Sequence, residues 1–352
     1  MKLHLSVALQ LAIGLAGSLV ALWLGMPLPF LLGSLGACGV YALLSTRNSG
    51  RKLYFPQLLR RGFIAVIGVM IGATLTLDLL AIVPTLWISI SLMVPYVAVS
   101  LGVGYLLYRF VGKYDHITAI FAAMPGGLVE AVILGEQAGA DVRILSLQHS
   151  ARLVLVVIAI PLLFYFWSGQ IVGSAAGQSF ASGPSGWVDV PLILVLAGLG
   201  LLVGPLLHLP APQLTGPLLL SAVAHVTGFA TTSNPDWLLF LAQLVVGTGL
   251  ATNFSGSTIG LMLRAFGLGL VAVCTMLIVS LGFAAGIGKL VPLDFDALFI
   301  GYAPAGVTEM NLIALSLGIS PVVIASHHLF RLVLTSLISG FLARAEMSKN
   351  KS

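Results

Sequence analysis

Residues 123–154, AMPGGLVEAVILGEQAGADVRILSLQHSARLV, and residues 303–333, APAGVTEMNLIALSLGISPVVIASHHLFRLV, say nearly the same thing twice. At a constant offset of 179, Pro125 coincides with Pro304, Gly127 with Gly306, Glu130 with Glu309, His149 with His328 and Arg152 with Arg331. Each copy puts a helix-breaking turn and a carboxylic acid inside an apolar run. An unbroken helix cannot pass through such a turn. Irregular backbone survives at membrane depth only where it is buried in protein or lines a cavity. Helix, break and half-helix, either spanning or re-entrant, is the expected local structure at Pro125-Gly126-Gly127 and again at Pro304 and Gly306.

That the surroundings are membrane follows from composition. Of 352 residues, 59% are hydrophobic and 8% charged, with mean hydropathy +1.09. Soluble domains carry roughly 25% charged residues, which excludes an ordinary soluble α/β enzyme. The apolar runs are too long for the short alternating strands of a barrel. The expected fold class is therefore all-α, a polytopic helical membrane protein. At about 20 apolar residues per span, roughly ten to twelve spans fit. The net charge of +5 sits in short loops and indicates topology, not a nucleic-acid face. Cys38 and Cys274 lie in apolar helices and read as small packing residues.

The run after Lys2 and His4 lacks a small-residue cleavage site and reads as a retained first helix over 3–24. Pro27 and Pro29 separate it from a second at 30–45. Arg47, Arg51, Lys52, Arg60 and Arg61 form the densest basic cluster, a cytoplasmic loop by the positive-inside rule. A third span covers 62–77, a fourth 80–111 with kinks at Pro84 and Pro95, and the broken element 117–138. A helix at 141–168 carries His149 and Arg152. Residues 169–186 are a Gly/Ser-rich linker without Lys or Arg, expected outside.

The second half follows the first. His208 to Gly216 matches Gly25 to Gly33 at an offset of 183, and Gly247 matches Gly68 at 179. Spans at 236–253 and 257–288, a broken element at 297–317 and a last helix at 320–343 complete it. The tail with Arg344, Lys349 and Lys351 belongs in the cytoplasm. The expected organisation is a first repeat at 1–168, the linker, and a second repeat at 187–352, each of about five spans plus a broken helix. If the broken elements are re-entrant, each half crosses an odd number of times and the halves are inverted. If they span, the halves are parallel. Counting Lys and Arg does not separate the two; the uncharged linker and the usual design of transporters favour inversion.

An ionisable group at a helix centre costs about 2.5–3.5 kcal/mol on insertion scales, and both halves bear that cost at matching places. Glu130, Glu309, His149, His328, Arg152 and Arg331 are thus the candidate substrate and proton site. Each glutamate sits in the first turns of a half-helix, at the positive end of its dipole, where an anion would also bind. His149 and Arg152 share a helix face, as do His328 and Arg331. Burial would raise the glutamate pKa values, neighbouring Arg152 and Arg331 would lower them, and His149 and His328 would tune or relay the proton. The plainer alternative is Glu–Arg clamps that merely satisfy each other. Thr308 and Asn311 have apolar counterparts, Val129 and Val132, so the second half is expected to supply more solute hydrogen bonds. His225 reads as a packing residue; the pair His327-His328, where the first half has Gln148-His149, reads either as a tuned proton site or as a pair of which one ring faces lipid headgroups or a neighbour. No compact metal-ligand set, nucleotide loop or hydrolase elbow is present, so no metal, no cofactor and no enzymatic activity is expected.

The segments Pro27-Leu28-Pro29-Phe30-Leu31-Leu32-Gly33, Pro210-Ala211-Pro212-Gln213-Leu214-Thr215-Gly216, Met124-Pro125-Gly126-Gly127 and Ala303-Pro304-Ala305-Gly306, with their glutamates, resemble the AbrB membrane protein family, whose members are two copies of a duplicated domain. The resemblance covers essentially the whole chain. Members carry labels as ammonia monooxygenases, regulators of gene expression and transport proteins, and the family brings no residue roles with it. The expected function is a secondary transporter, proton-coupled in the leading form, in a bacterial-type inner membrane with both termini cytoplasmic. Its partners would be the lipid bilayer, a small solute with anions among the candidates, and protons or ions; self-association stays open and nucleic acid is not expected. The alternative is a membrane-embedded regulator of gene expression acting through a partner.

Overall fold

The structure, a computed structural model, describes residues 2–26, 28–49, 53–74, 86–169, 187–256 and 258–349. Over these it is helical: α1 (Lys2–Trp23), α2 (Pro29–Ser49), α3 (Gln57–Gly72), α4 (Trp87–Ser91), α5 (Met93–Leu106), α6 (His116–Ala123), α7 (Leu128–Ala138) and α8 (Val142–Ser168). After them come α9 (Val190–Leu206), α10 (Pro212–Val226), α11 (Asp236–Ala251), α12 (Ile259–Ile287), α13 (Phe295–Tyr302), α14 (Val307–Ser316) and α15 (Pro321–Lys349). Of the expected linker at 169–186, all but Gly169 lies outside the described residues, as do Pro27, Arg51, Lys52, Pro84 and Lys351.

Prolines mark the helix starts. Pro29, Pro212 and Pro321 each open a helix, where the missing N–H costs nothing. Pro56 precedes α3, so Arg60 and Arg61, expected in a loop, lie inside that helix. The fourth span is not continuous. It breaks at Leu92, just before Pro95 removes a backbone donor from α5, and ends in a π turn over Leu107–Val111. Among the described residues, 8 helical stretches are long and apolar enough to cross a membrane. Helices α3 and α10 fall short at 16 and 15 residues. Five spans per half are reached only if both are counted.

The chain forms two compact units, and neither is a half of the sequence. One unit takes Met1–Ala81, Ile160–Thr258 and Asn311–Val322; the other takes Ile82–Ala159, Ile259–Met310 and Val323–Ser352.

In the first unit the two sequence halves interlock. A Cβ on Gly68 of α3 would press on backbone of α10 at Leu214 and Leu218, and one on Gly247 of α11 would press on backbone of α2 at Leu31. Glycine lets such helices approach backbone to backbone. So α3 packs on the helix that follows the second proline hinge, and α11 on the helix that follows the first. Ser221 Oγ ties the first of these crossings by donating to Val69 O at 2.8 Å. Cys38 is buried here, its Sγ 3.1 Å from Gln10 O. Cys274 of the second unit is exposed on α12, which departs from the packing role expected for it.

In the second unit α6 and α7 are the arms of a hairpin. Asp141 N donates to Thr118 Oγ1 at 2.9 Å, and Gly135 lies against the Phe121 ring, with 3.1 Å from a built Cβ to Cγ. Pairing 118 with 141 and 121 with 135 makes the arms antiparallel. This broken element therefore returns to the end from which it started. A hydrophobic cluster including Tyr114, Phe121, Ala138 and Leu145 fills that end.

Asp115 starts the hairpin by accepting from Thr118 N at 2.9 Å, the usual side-chain cap. Burial alone would raise this carboxyl, but its hydrogen bonds, those with Thr118 first and then those with the backbone of Asp115 and Ile117, together outweigh that and hold it below the ordinary value. A depressed pKa means a contribution that is full above the unfolded value and lost as pH falls through the folded one. Asp115→Ala should lower stability by about 1 kcal/mol in detergent at neutral pH. Thermal unfolding should show that difference shrinking below about pH 3.9; a gap unchanged in acid would mean the carboxylate is not the cap.

Candidate functional site

Both breaks have the same local cause. A residue before proline is driven out of the helical region, and Met124 (φ −56, ψ 119) and Ala303 (φ −59, ψ 137) have left it. Pro125 and Pro304 then lack the N–H needed to continue, and the chain stays out of the helix, bending at Gly126 and over Ala303–Ala305, until Gly127 O and Gly306 O accept the first bonds of α7 and α14, at 3.1 Å each. The last carbonyls of α6 and α13 are left without helical partners. In a low-dielectric interior each such group is costly.

His149, Arg152, His328 and Arg331 supply those partners. Arg152 donates from Nη1 to Met124 O at 2.6 Å and from Nη2 to Gly126 O at 3.3 Å. Arg331 donates from Nη1 to Ala303 O, with a longer 3.5 Å contact to Tyr302 O, and from Nη2 to Ala305 O at 2.6 Å. His149 Nε2 donates to Phe121 O at 3.0 Å, and His328 Nε2 to Ile300 O at 2.9 Å. The same bonds thus recur 179 residues apart. A carbonyl only accepts, so each imidazole carries its hydrogen on Nε2. Each Nδ1 then accepts from its own arginine, at 3.0 Å for His149 and 2.8 Å for His328.

Arg152 and Arg331 thus hold broken backbone at the negative ends of α6 and α13. Both nitrogens of His149 and of His328 lie between a carbonyl and a guanidinium, and the imidazoles are links in a brace.

The two breaks and the two braces wall a single cavity of about 80 Å³. Gly126, Gly127, His149 and Arg152 come from the first stretch; Pro304, Gly306, His328 and Arg331 come from the second. Every lining residue belongs to the second compact unit. Both arginines are deeply buried, 5% and 3% exposed. With the N-terminal ends of α7 and α14 opening on the same space, its potential favours an anion. The volume holds a few waters or a solute of a few heavy atoms.

The glutamates sit at equivalent third positions of α7 and α14. Glu309 is buried, and its carboxylate is folded back onto Gly306, where a Cβ would collide with it. The side chain of Glu130 lies outside the described residues. Asn311 is buried and Thr308 half-buried. His225 donates from Nδ1 to Ser221 O at 2.8 Å, with Nε2 2.9 Å from Thr232 Oγ1, the packing role expected of it. His327 donates from Nδ1 to Val323 O at 2.7 Å and lies beside the Tyr302 ring. Among the described residues, no three His, Cys, Asp or Glu come together to hold a metal ion.

One participant escaped the sequence. A Cβ on Gly126 would overlap Thr335 Oγ1 and come within 2.5 Å of Thr335 Cβ, so the first break is seated directly on α15. The available signal was a lone threonine in the apolar run Leu332-Val333-Leu334-Thr335, where the counterpart in the first half is Val156.

The family described as "Transition state regulatory protein AbrB" matches residues 30–346. "Uncharacterized protein YhjN" of Bacillus subtilis (strain 168) is 26% identical over 291 residues, covering 76% of this chain and 73% of that protein. "Putative regulator AbrB" of Escherichia coli (strain K12) is 26% identical over 290 residues, covering 82% of this chain and 81% of that protein.

Proposed function

The chain belongs to the AbrB family of polytopic membrane proteins, and we propose that it works there as a secondary transporter whose solute site is the cavity at the two helix breaks. The observation that carries this reading is that both Pro-Gly breaks and both His–Arg pairs wall one cavity. Paired discontinuous helices around a midplane site are the usual construction of such transporters. The volume limits the solute to a small one, and two buried guanidinium groups with two helix N-termini favour an anion. Glu130 and Glu309 are the proton carriers, because His149, His328, Arg152 and Arg331 are committed to the brace.

The antiparallel arms of α6 and α7 support an odd number of crossings per half. We therefore read the halves as inverted repeats in an inner membrane, with both termini cytoplasmic. The two hairpins then enter from opposite faces. A second reading, a regulator acting through a partner, rests on the name of the Escherichia coli relative.

Uptake into proteoliposomes separates them. Small carboxylates and inorganic anions should enter faster under an imposed pH gradient, and Glu130→Gln with Glu309→Gln should remove the gradient's effect. Unchanged uptake in the double variant would strip the glutamates of this role. A partner captured by cross-linking, with no flux of any solute, would favour the regulator.

A further inference from the structure

On the premise that the cavity at the two breaks is the solute site, we propose that it selects short monocarboxylates by their apolar tails, with Leu153 and Leu332 as the residues that limit the tail. Leu153 and Leu332 are one more pair at the offset of 179, each following its arginine in the chain. Both line the cavity and both are half-buried. Helices α8 and α15 therefore each bring a guanidinium and a leucine to the wall of the same small space. Val307, the first residue of α14, adds a third apolar residue to that wall.

That mixture decides the class of anion. The two arginines and the helix N-termini answer negative charge, whereas leucine and valine side chains offer no hydrogen bond. An inorganic oxyanion carries acceptor oxygens on every side. Those turned towards the leucines would be buried without partners, which is unfavourable for each of them. A monocarboxylate confines its charge to one end and leaves a tail for the apolar wall. Apolar walls with a few placed polar groups orient small ligands in this way. Volume then sets the length of the tail. A cavity of about 150 Å³ holds benzene, so the present one, at about 80 Å³, has room for roughly three or four heavy atoms, the size of acetate. Formate leaves the apolar wall uncovered, and butyrate is too long.

Titration of the purified full chain in detergent with sodium formate, acetate, propionate and butyrate, at constant ionic strength and followed by thermal stabilisation, tests this. Acetate should bind about fourfold more tightly than formate, the effect of burying one methyl group, and butyrate should not bind. Leu332→Ala should enlarge the cavity and move the preference to butyrate. Leu332→Phe should fill it and abolish the response to acetate. Each variant is read as a ranking of anions on one preparation, so a general loss of stability does not imitate the result. An unchanged ranking in both Leu332→Ala and Leu153→Ala would overturn the inference. So would wild-type protein that binds formate and acetate alike, or none of the four anions. Uptake into proteoliposomes judges the transport reading separately. Acetate bound but never carried would sink transport and leave the role of the leucines standing; equal flux of all four anions would do the reverse.

Discussion

An Arg331→Met chain should lose about 3–5 kcal/mol of stability in detergent, the sum expected when several buried acceptors lose one charged donor. Methionine preserves much of the volume, so the effect is not a cavity effect. What it removes is the guanidinium that serves Tyr302 O, Ala303 O, Ala305 O and His328 Nδ1. Each acceptor left dry costs about 1–3 kcal/mol. Two circumstances reduce the total. Tyr302 O keeps Ser280 Oγ at 3.2 Å, and water in the cavity can reach some of the others. Relief from burying a cation works in the same direction. Arg331→Lys should recover only part of the loss, because an ammonium is a point charge and cannot fork to two carbonyls. Thermal unfolding and solute uptake measured on the same preparations separate brace from ligand. A solute-binding arginine would lose uptake in the methionine variant with stability within 1 kcal/mol of wild type, and that result would sink the brace.

The breaks could be read from residues because proline and glycine act locally. Pro125 and Pro304 exclude the helix whatever surrounds them, and the helices end where these residues require. The identity of the buried polar residues was equally legible, since charge in an apolar run declares itself. Their backbone partners were not. A sequence displays side chains, so Arg152 invites pairing with Glu130, and nothing in it shows that Arg152 also donates to Met124 O and Gly126 O. Those carbonyls need a donor only because the helix has stopped. The brace is therefore a consequence of the break, one step beyond what residue types state.

The compact units were hidden for a related reason. Two similar halves in a row read as two bodies, whereas Gly68 and Gly247 each seat on a helix from the opposite half. Glycine signals close approach without saying to what. The start of α3 shows the same limit on a small scale: Arg60 and Arg61 signal a loop by charge, and Pro56 sets the helix to begin before them.

Gly126→Ala should cost about 3 kcal/mol, the upper end of what overpacking a buried site usually costs, and much of that should return when Thr335 is also changed to glycine. The added methyl would meet the Thr335 hydroxyl and lie 2.5 Å from its Cβ. A flexible side-chain tip could swing away; a Cβ anchored in a helix cannot. Thr335 is further fixed by donating to Arg331 O at 2.8 Å. Backbone conformation is not the obstacle, because Gly126 is not among the glycines with positive φ and its counterpart in the second break is Ala305. The neighbour alone forbids the methyl. Thr335→Gly by itself should cost about 1 kcal/mol as a glycine within a helix, so the double variant should be more stable than Gly126→Ala. A double-mutant cycle on thermal unfolding reads this coupling directly. Strictly additive losses would mean that the first break does not rest on α15. Uptake should follow stability through the cycle, since the same seat that holds Gly126 also holds the cavity wall formed by Gly127 and Arg152.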